Sequence, residues 1–170
     1  MENIPSPPIL NYQEMISFGI TKREQEIELD HLLNKIINPL EKIINEISNT
    51  YRDLSDAIRD KIPGLILTKS NQYTQLFLEM IKIFGRVFRQ LKILFDTNKD
   101  ELIVLDRIFG VRISIDVVNI NNKKLFSMLK DVNKEYRVDN YTKNLFFFLG
   151  TIEYLDDAIR EIDILTDTFI

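Results

Sequence analysis

His31 is the chain's only histidine and follows Glu28 by three positions, a Glu-x-x-His spacing that sets a carboxylate and an imidazole on one face of a helix. Di-iron sites in helical bundles use that pair, completed by Glu residues from other helices. Here no earlier helix supplies the completing Glu, and Lys22, Arg23, Glu24, Glu26 and Asp30 surround the pair with the charges of a solvated face. Glu28 and His31 are therefore weak metal candidates, and the sequence predicts no bound metal. With one His, no Cys and five scattered Gly, the chain has no nucleophile elbow, P-loop or dinucleotide fingerprint. Asp156 and Asp157 are neighbours in sequence and point apart on a helix, so they form no acid–base dyad. These residues predict a protein without enzymatic activity and without a cofactor.

Two groups of cations could contact phosphates. Lys82, Arg86 and Arg89, with Lys92 below them, make a stripe on one helix; Lys123, Lys124 and Lys130 gather on another, followed by Lys134 and Arg137. Phosphate recognition needs cations positioned in this way. The opposing reading pairs them with the acidic last helix, which carries Glu153, Asp156, Asp157, Glu161 and Asp163. A formal net charge of −4 and the lack of a helix-turn-helix pattern favour that second reading. Nucleic acid is thus the alternative partner, not the favoured one.

Apolar residues offer contacts of another kind. Phe146, Phe147 and Phe148 cannot share one side of a helix, so at least one ring must leave the seam, and Tyr154 on the same helix extends the group. Grouped exposed aromatics mark partner sites. The first ten residues hold three of the five prolines, and Pro7-Pro8 favours an extended arm with Ile4, Ile9 and Leu10 as apolar anchors. Ile4, Pro7, Pro8, Ile9, Phe146, Phe147 and Tyr154 are the candidate partner-binding residues.

The elements that must position these residues read as helices. Leu29, Leu33, Ile36, Leu40, Ile43 and Ile47 step by fours and threes, and Tyr51, Leu54, Ile58 and Ile62 continue the seam. Asn38-Pro39 resembles a helix start, which divides this stretch into helices at about 22–37 and 39–62 or kinks a single one. Ile62-Pro63-Gly64 ends it. A helix over about 71–95 carries two seams, Phe77, Ile81, Phe84, Phe88, Leu91 and Phe95 beside Leu76, Met80, Ile83, Val87 and Leu94, which predicts the most buried element. Gly85 within it suggests close approach by a neighbouring backbone. A short helix over about 99–109 stops at Gly110.

Val111, Ile113, Ile115 and Val117 then alternate with Arg112, Ser114 and Asp116, the period of a strand, with Gly64–Thr68 as a possible pairing partner. Asn121-Asn122 cap a helix to about Tyr136, with Leu125, Leu129, Val132 and Tyr136 inward. Asp139-Asn140 opens the last helix, with a seam of Leu145, Leu149, Ile152, Leu155, Ile159, Ile162, Leu165 and Phe169.

The prediction is an all-α or nearly all-α bundle of about five to six helices with at most one small two-stranded element. The arm spans residues 1–20 and the single bundle domain 21–170. A 170-residue chain with 45% hydrophobic residues can bury such a core without disulfides or metals. The N-terminus shows no signal peptide, the most apolar helix is broken by charges, and cysteine is absent, so a cytoplasmic or other reducing intracellular setting is expected. Abundant Ile, Asn and Lys fit an AT-rich source, a virus or mobile element among the possibilities. The expected function is that of a helical structural or assembly subunit acting through protein contacts, as a homo-oligomer or in a larger assembly. A nucleic-acid accessory role is the alternative, and a ferritin-like metal protein the distant one.

Overall fold

A computed structural model describes residues 12–98, 101–136 and 139–167, with side chains described from residue 23 onward except at 136 and 139–142. Four helices make up the described chain: α1 (Tyr12–Arg59), α2 (Pro63–Thr97), α3 (Leu102–Tyr136) and α4 (Asp139–Asp167). Four replace the expected five to six because two expected breaks are absent. Pro39 lies inside α1. Its missing N–H costs a helix interior about 3 kcal/mol, but Leu33, Ile37, Leu40 and Ile43 are buried along one seam on both sides of it. Breaking the helix there would strip half of that seam from the core. Gly110 does not end a helix either, since α3 runs through it. The expected two-stranded element is also absent among the described residues, as Gly64–Thr68 lies in α2 and Val111–Ile120 in α3.

The turn between α1 and α2 falls where the sequence placed it. Ile62 N–H donates to the Ala57 carbonyl and Lys61 N–H to the Ile58 carbonyl, both at 3.1 Å, which is the Schellman pair. That motif needs a left-handed residue, and Lys61 takes it with φ 54°. Pro63 then opens α2 at a position whose N–H would have no helical acceptor. At the other end of α2, the backbone N–H and the side-chain amide of Asn98 both donate to the Leu94 carbonyl at 2.9 Å.

Successive helices are separated by only a few residues and the hairpin pairs pack side by side, so neighbours in sequence run antiparallel, α1 runs parallel to α3, and α2 to α4. Cross-bundle pairs agree: Arg107 near the start of α3 meets Asp30 of α1 at 3.2 Å, and Lys61 after α1 meets Glu135 at the end of α3 at 3.7 Å. The hairpins α1–α2 and α3–α4 are the closest pairs; α1 also lies along α3, α2 touches both α3 and α4, and α1 and α4 do not meet among the described residues. At about 1.5 Å per residue α1 is some 72 Å long against about 52 Å for α2. Among the side chains described, Leu29 is the first of α1 packed on the core, and residues 23–28 are all exposed. The expected arm covered residues 1–20; α1 already begins at Tyr12, and residues 1–11 lie outside the described chain.

The densest part of the core is aromatic and comes chiefly from α2. Tyr73, Phe77, Met80, Phe84, Leu91 and Phe95 are all but fully buried, and the two expected seams merge into one broad face. Phe84 stacks on Phe88 with centroids 5.6 Å apart and meets the Tyr154 ring edge-on; Phe77 meets Phe147 edge-on. Gly85 faces solvent, and a Cβ there would touch nothing within 4 Å, which overturns the expected close backbone approach.

Two backbone variants follow from these geometries. Gly85→Ala is expected to raise stability by about 0.5–1 kcal/mol by removing helix-interior glycine entropy. Lys61→Gly is expected to gain up to about 1 kcal/mol by relieving the left-handed strain, since the exposed Lys61–Glu135 pair contributes little. Denaturant midpoints check both.

Candidate functional site

Glu28 and His31 both lie on exposed turns of α1. Among the described residues no group of three or more His, Asp or Glu side chains is placed to hold a metal ion. No helix among them is long and apolar enough to cross a membrane.

Among the described residues α3 carries the most exposed large apolar side chains, and these were not among the expected contacts. Val104, Ile108, Val111, Ile115 and Val118 turn inward, with at most 4% exposed. Leu102, Phe109, Ile113, Val117 and Ile120 occupy the opposite side of the same helix and are between 43% and 65% exposed. They cluster near 180° from the core stripe at 100° per residue. The signal was present in the sequence: apolar residues at 111, 113, 115 and 117 alternate because two helical stripes, 111/115 and 113/117, interleave with the period of a strand.

The triple phenylalanine separates as its spacing requires. Phe148 is fully buried against Tyr73, with ring centroids 5.2 Å apart, Phe147 is half-buried on Phe77, and Phe146 is 72% exposed. Tyr154 is half-buried and faces α2, so it does not extend the Phe146 surface; burial, and then the charge of Glu161, push its phenol above the ordinary range. Ile4, Pro7, Pro8 and Ile9 lie outside the described residues.

The cations divide by helix. On α3, Lys123 reaches Asp156 at 3.8 Å, and Arg112 grips Asp163 through Nε at 2.5 Å and a second nitrogen at 3.2 Å. The hydrogen bond to Asp163 holds the Arg112 guanidinium still more firmly protonated. Lys124 and Lys130 are exposed. On α2, Lys82, Arg86 and Arg89 are exposed and meet no carboxylate among the described residues, and Lys92 lies over the Phe88 ring at 5.6 Å. The acids of α4 therefore take cations of α3 and not those of α2.

Arg86 also lines an open groove of about 480 Å³ between α1 and α2. Leu32, Ile36 and Pro39 form one apolar wall and Ile83 and Val87 the other; Lys35, Arg86 and Gln90 supply the polar groups, and no carboxylate lines it. Pro39 adds to this polarity, because without an N–H it leaves the Lys35 carbonyl without its helical donor. A smaller groove of about 210 Å³ between α1 and α3 is charge-balanced by Glu41 and Arg107. Arg107 is already held there by Asp30 and Asn34.

One further polar cluster lies in the core. The Tyr73 hydroxyl of α2 donates to Asn122 Oδ1 of α3, whose amide donates to Thr151 Oγ1 of α4 at 3.0 Å; Thr151 donates in turn to the Phe148 carbonyl at 2.7 Å. Asn122 was expected to cap a helix; it is instead wholly buried in mid-helix. Linked polar groups of this kind fix which helices pair and in what register. Comparison with family models, curated proteins and solved structures finds no match to this chain, so its function must be argued from these surfaces.

The buried layer has a checkable pH signature. Burial pushes the Tyr73 phenol well above its ordinary 10.0, with the neighbouring Tyr51 adding to the shift. Because the folded-state value is raised, the contribution is fully present below pH 10 and lost as the unfolded chain ionises above it. The wild-type protein is expected to lose stability with a slope approaching about 1.4 kcal/mol per pH unit for this proton. In Tyr73→Phe that component of the slope is expected to vanish, at a neutral-pH cost of about 1–3 kcal/mol for the orphaned Asn122 oxygen. Adding Asn122→Leu and Thr151→Val is expected to recover most of that cost. Denaturant melts between about pH 8 and 11 measure all three effects.

Proposed function

We propose that this chain is a non-enzymatic structural or assembly subunit that works through protein–protein contact and associates with itself along the outer face of α3. The observation that carries this reading is the row Leu102, Phe109, Ile113, Val117 and Ile120, turned directly away from the core. At their observed exposures these side chains leave on the order of 500 Å² of apolar surface, within the upper range of a monomer's largest patch. Two such faces with their margins reach roughly the 1,000 Å² that a specific interface requires.

A second copy suits this face better than an unrelated partner because the face is self-complementary. Asp106 and Lys124 lie on the same outer side of α3, equally far from position 115. Antiparallel pairing about a two-fold axis there sets Asp106 of each copy beside Lys124 of the other and Ile113 beside Val117. Parallel pairing would oppose like charges. Closed two-fold contacts are also the commonest form of self-association.

Light scattering and sedimentation across a concentration series test the reading. The wild-type protein is expected to form dimers or larger species, and Ile113→Lys with Val117→Lys is expected to abolish the α3 contact. Both positions are solvent-facing, so the helical signal and melt should change by only about 0.5 kcal/mol. A wild-type chain that stays monomeric at about 100 µM, well above the Kd of a specific interface, would overturn the proposal.

A further inference from the structure

We infer that the groove between α1 and α2 receives the C-terminal turns of α4 from another copy, with Ile164 seated on the apolar walls and Asp157, Glu161 and Asp167 facing Lys35, Lys82, Arg86 and Arg89. The inference rests on the reading of the chain as a self-assembling subunit but uses a different surface from the α3 face.

The groove specifies its occupant by chemistry. Leu32, Ile36, Ile83 and Val87 line it, so its filler must be apolar; Lys35 and Arg86 line it without any carboxylate, so the filler must be ringed by acids. Lys82 and Arg89, one turn either side of Arg86, continue the positive outer face of α2 beside the groove and meet no carboxylate among the described residues. A phosphate backbone would use the cations but leave the apolar walls wet, which argues for a protein segment over a nucleic acid.

The outer side of α4 carries such a segment. Ile164 is 61% exposed, and among the described residues no other large apolar side chain is exposed beyond Leu149 on α4. Asp157, Glu161 and Asp167 stand seven and three positions before it and three after it, on the same side of the helix. The one cation among them, Arg160, is exposed and already held by Asp157 at 2.8 Å. Glu161 and Asp167 meet no cation among the described residues. An apolar anchor within a negative ring thus matches apolar walls within a positive rim.

The bundle's topology makes the contact intermolecular. Since α2 and α4 run parallel, the groove and Ile164 lie at the same end of the bundle, but α4 packs on α2 and α3 and never meets α1 among the described residues. Ile164 lies roughly opposite Leu155, Ala158 and Ile162, the buried stripe of α4, and so points away from the bundle. A patch on one flank that fits a different patch on the other is a heterologous contact, which repeats along a row. Such rows, cross-linked by two-fold α3 contacts, describe an extended assembly.

The test uses the full chain with the α3 contact removed by Ile113→Lys and Val117→Lys, so that failure of one contact is separable from failure of the other. In this background, association seen by sedimentation is expected to persist in low salt and to weaken about tenfold or more in 0.5 M NaCl, since exposed charge pairs are screened. Lys35→Glu with Arg86→Glu and Arg89→Glu leaves Lys82 as the one cation of the four and gives a chain whose groove and α4 end are both negative. Glu161→Lys with Asp167→Lys gives one in which both are positive. Each variant alone is expected to be monomeric, and a mixture of the two is expected to associate, because each groove then meets an α4 end of opposite charge. Undiminished association by either variant alone, or a mixture that stays monomeric, overturns the inference. So does a background chain that remains monomeric in low salt, and so does one that binds a 20-nucleotide oligothymidine through Arg86 and Arg89 without self-associating. Association of the wild-type chain that Ile113→Lys with Val117→Lys leaves unchanged in size would count against the α3 reading instead.

Discussion

The aromatic face of α2 is the surface against which the rest of the chain is ordered. Tyr73, Phe77, Phe84, Phe88 and Phe95 follow one another along it, and every other helix contributes partners to it. A buried large ring contributes more apolar transfer energy than any other single side chain, and close packing makes the positions of these rings mutually dependent. The consequence is visible in α1, where a continuous seam against α2 carries the helix through Pro39. Tertiary burial outweighs a local penalty of about 3 kcal/mol because several buried side chains on either side depend on the helix staying whole.

A helix at the corner of a bundle can turn only one stripe inward, and α3 carries two. That surplus explains both the main misreading of the sequence and the best functional clue. Strand-like alternation at Val111–Val117 was legible as a pattern but not as a structure, since period two also arises when two helical stripes interleave. Length would have arbitrated, because a strand there would have stood between two helices without a secured partner. The all-helical class was legible because α1 carries one long seam and α2 two adjacent ones, all with helical spacing. The number of helices was not, because Pro39 and Gly110 are local signals that packing overrode.

The polar core layer was illegible for a different reason. The expected α4 seam ran through Leu145, Leu149 and Ile152, whereas Asn144, Phe148 and Thr151 occupy the inward positions and Leu149 is exposed. A reading that counts only apolar residues moves the helix by one position wherever a core site is polar. Asn122, Tyr73 and Thr151 satisfy one another only when α2, α3 and α4 are in this one register. An isolated sequence offers no sign of such reciprocity, since each residue alone resembles a cap or a surface site.

Charge is partitioned in the same way, by which helices become neighbours. The acids of α4 and the cations of α3 neutralise one another because those helices form a hairpin, so Asp156 and Asp163 are used up within the bundle. Lys69 of α2 meets Asp53 of α1 at 3.5 Å, but Lys82, Arg86 and Arg89 face outward, and the α1 residue that shares the groove with Arg86, Lys35, has the same sign. The sequence showed both groups as equivalent clusters; topology gives Lys123 of the α3 group an acid of α4 and gives Lys82, Arg86 and Arg89 none among the described residues. A chain with a net charge of −4 that nevertheless holds an uncompensated positive groove must carry its excess negative charge on other surfaces. The outer end of α4, with Glu161 and Asp167, is one of them. Opposite signs displayed on different flanks of one molecule attract between copies at distances within about a Debye length, some 10 Å at moderate salt. Apolar complementarity then decides which approach becomes a contact, because screened charge alone steers encounters without holding them.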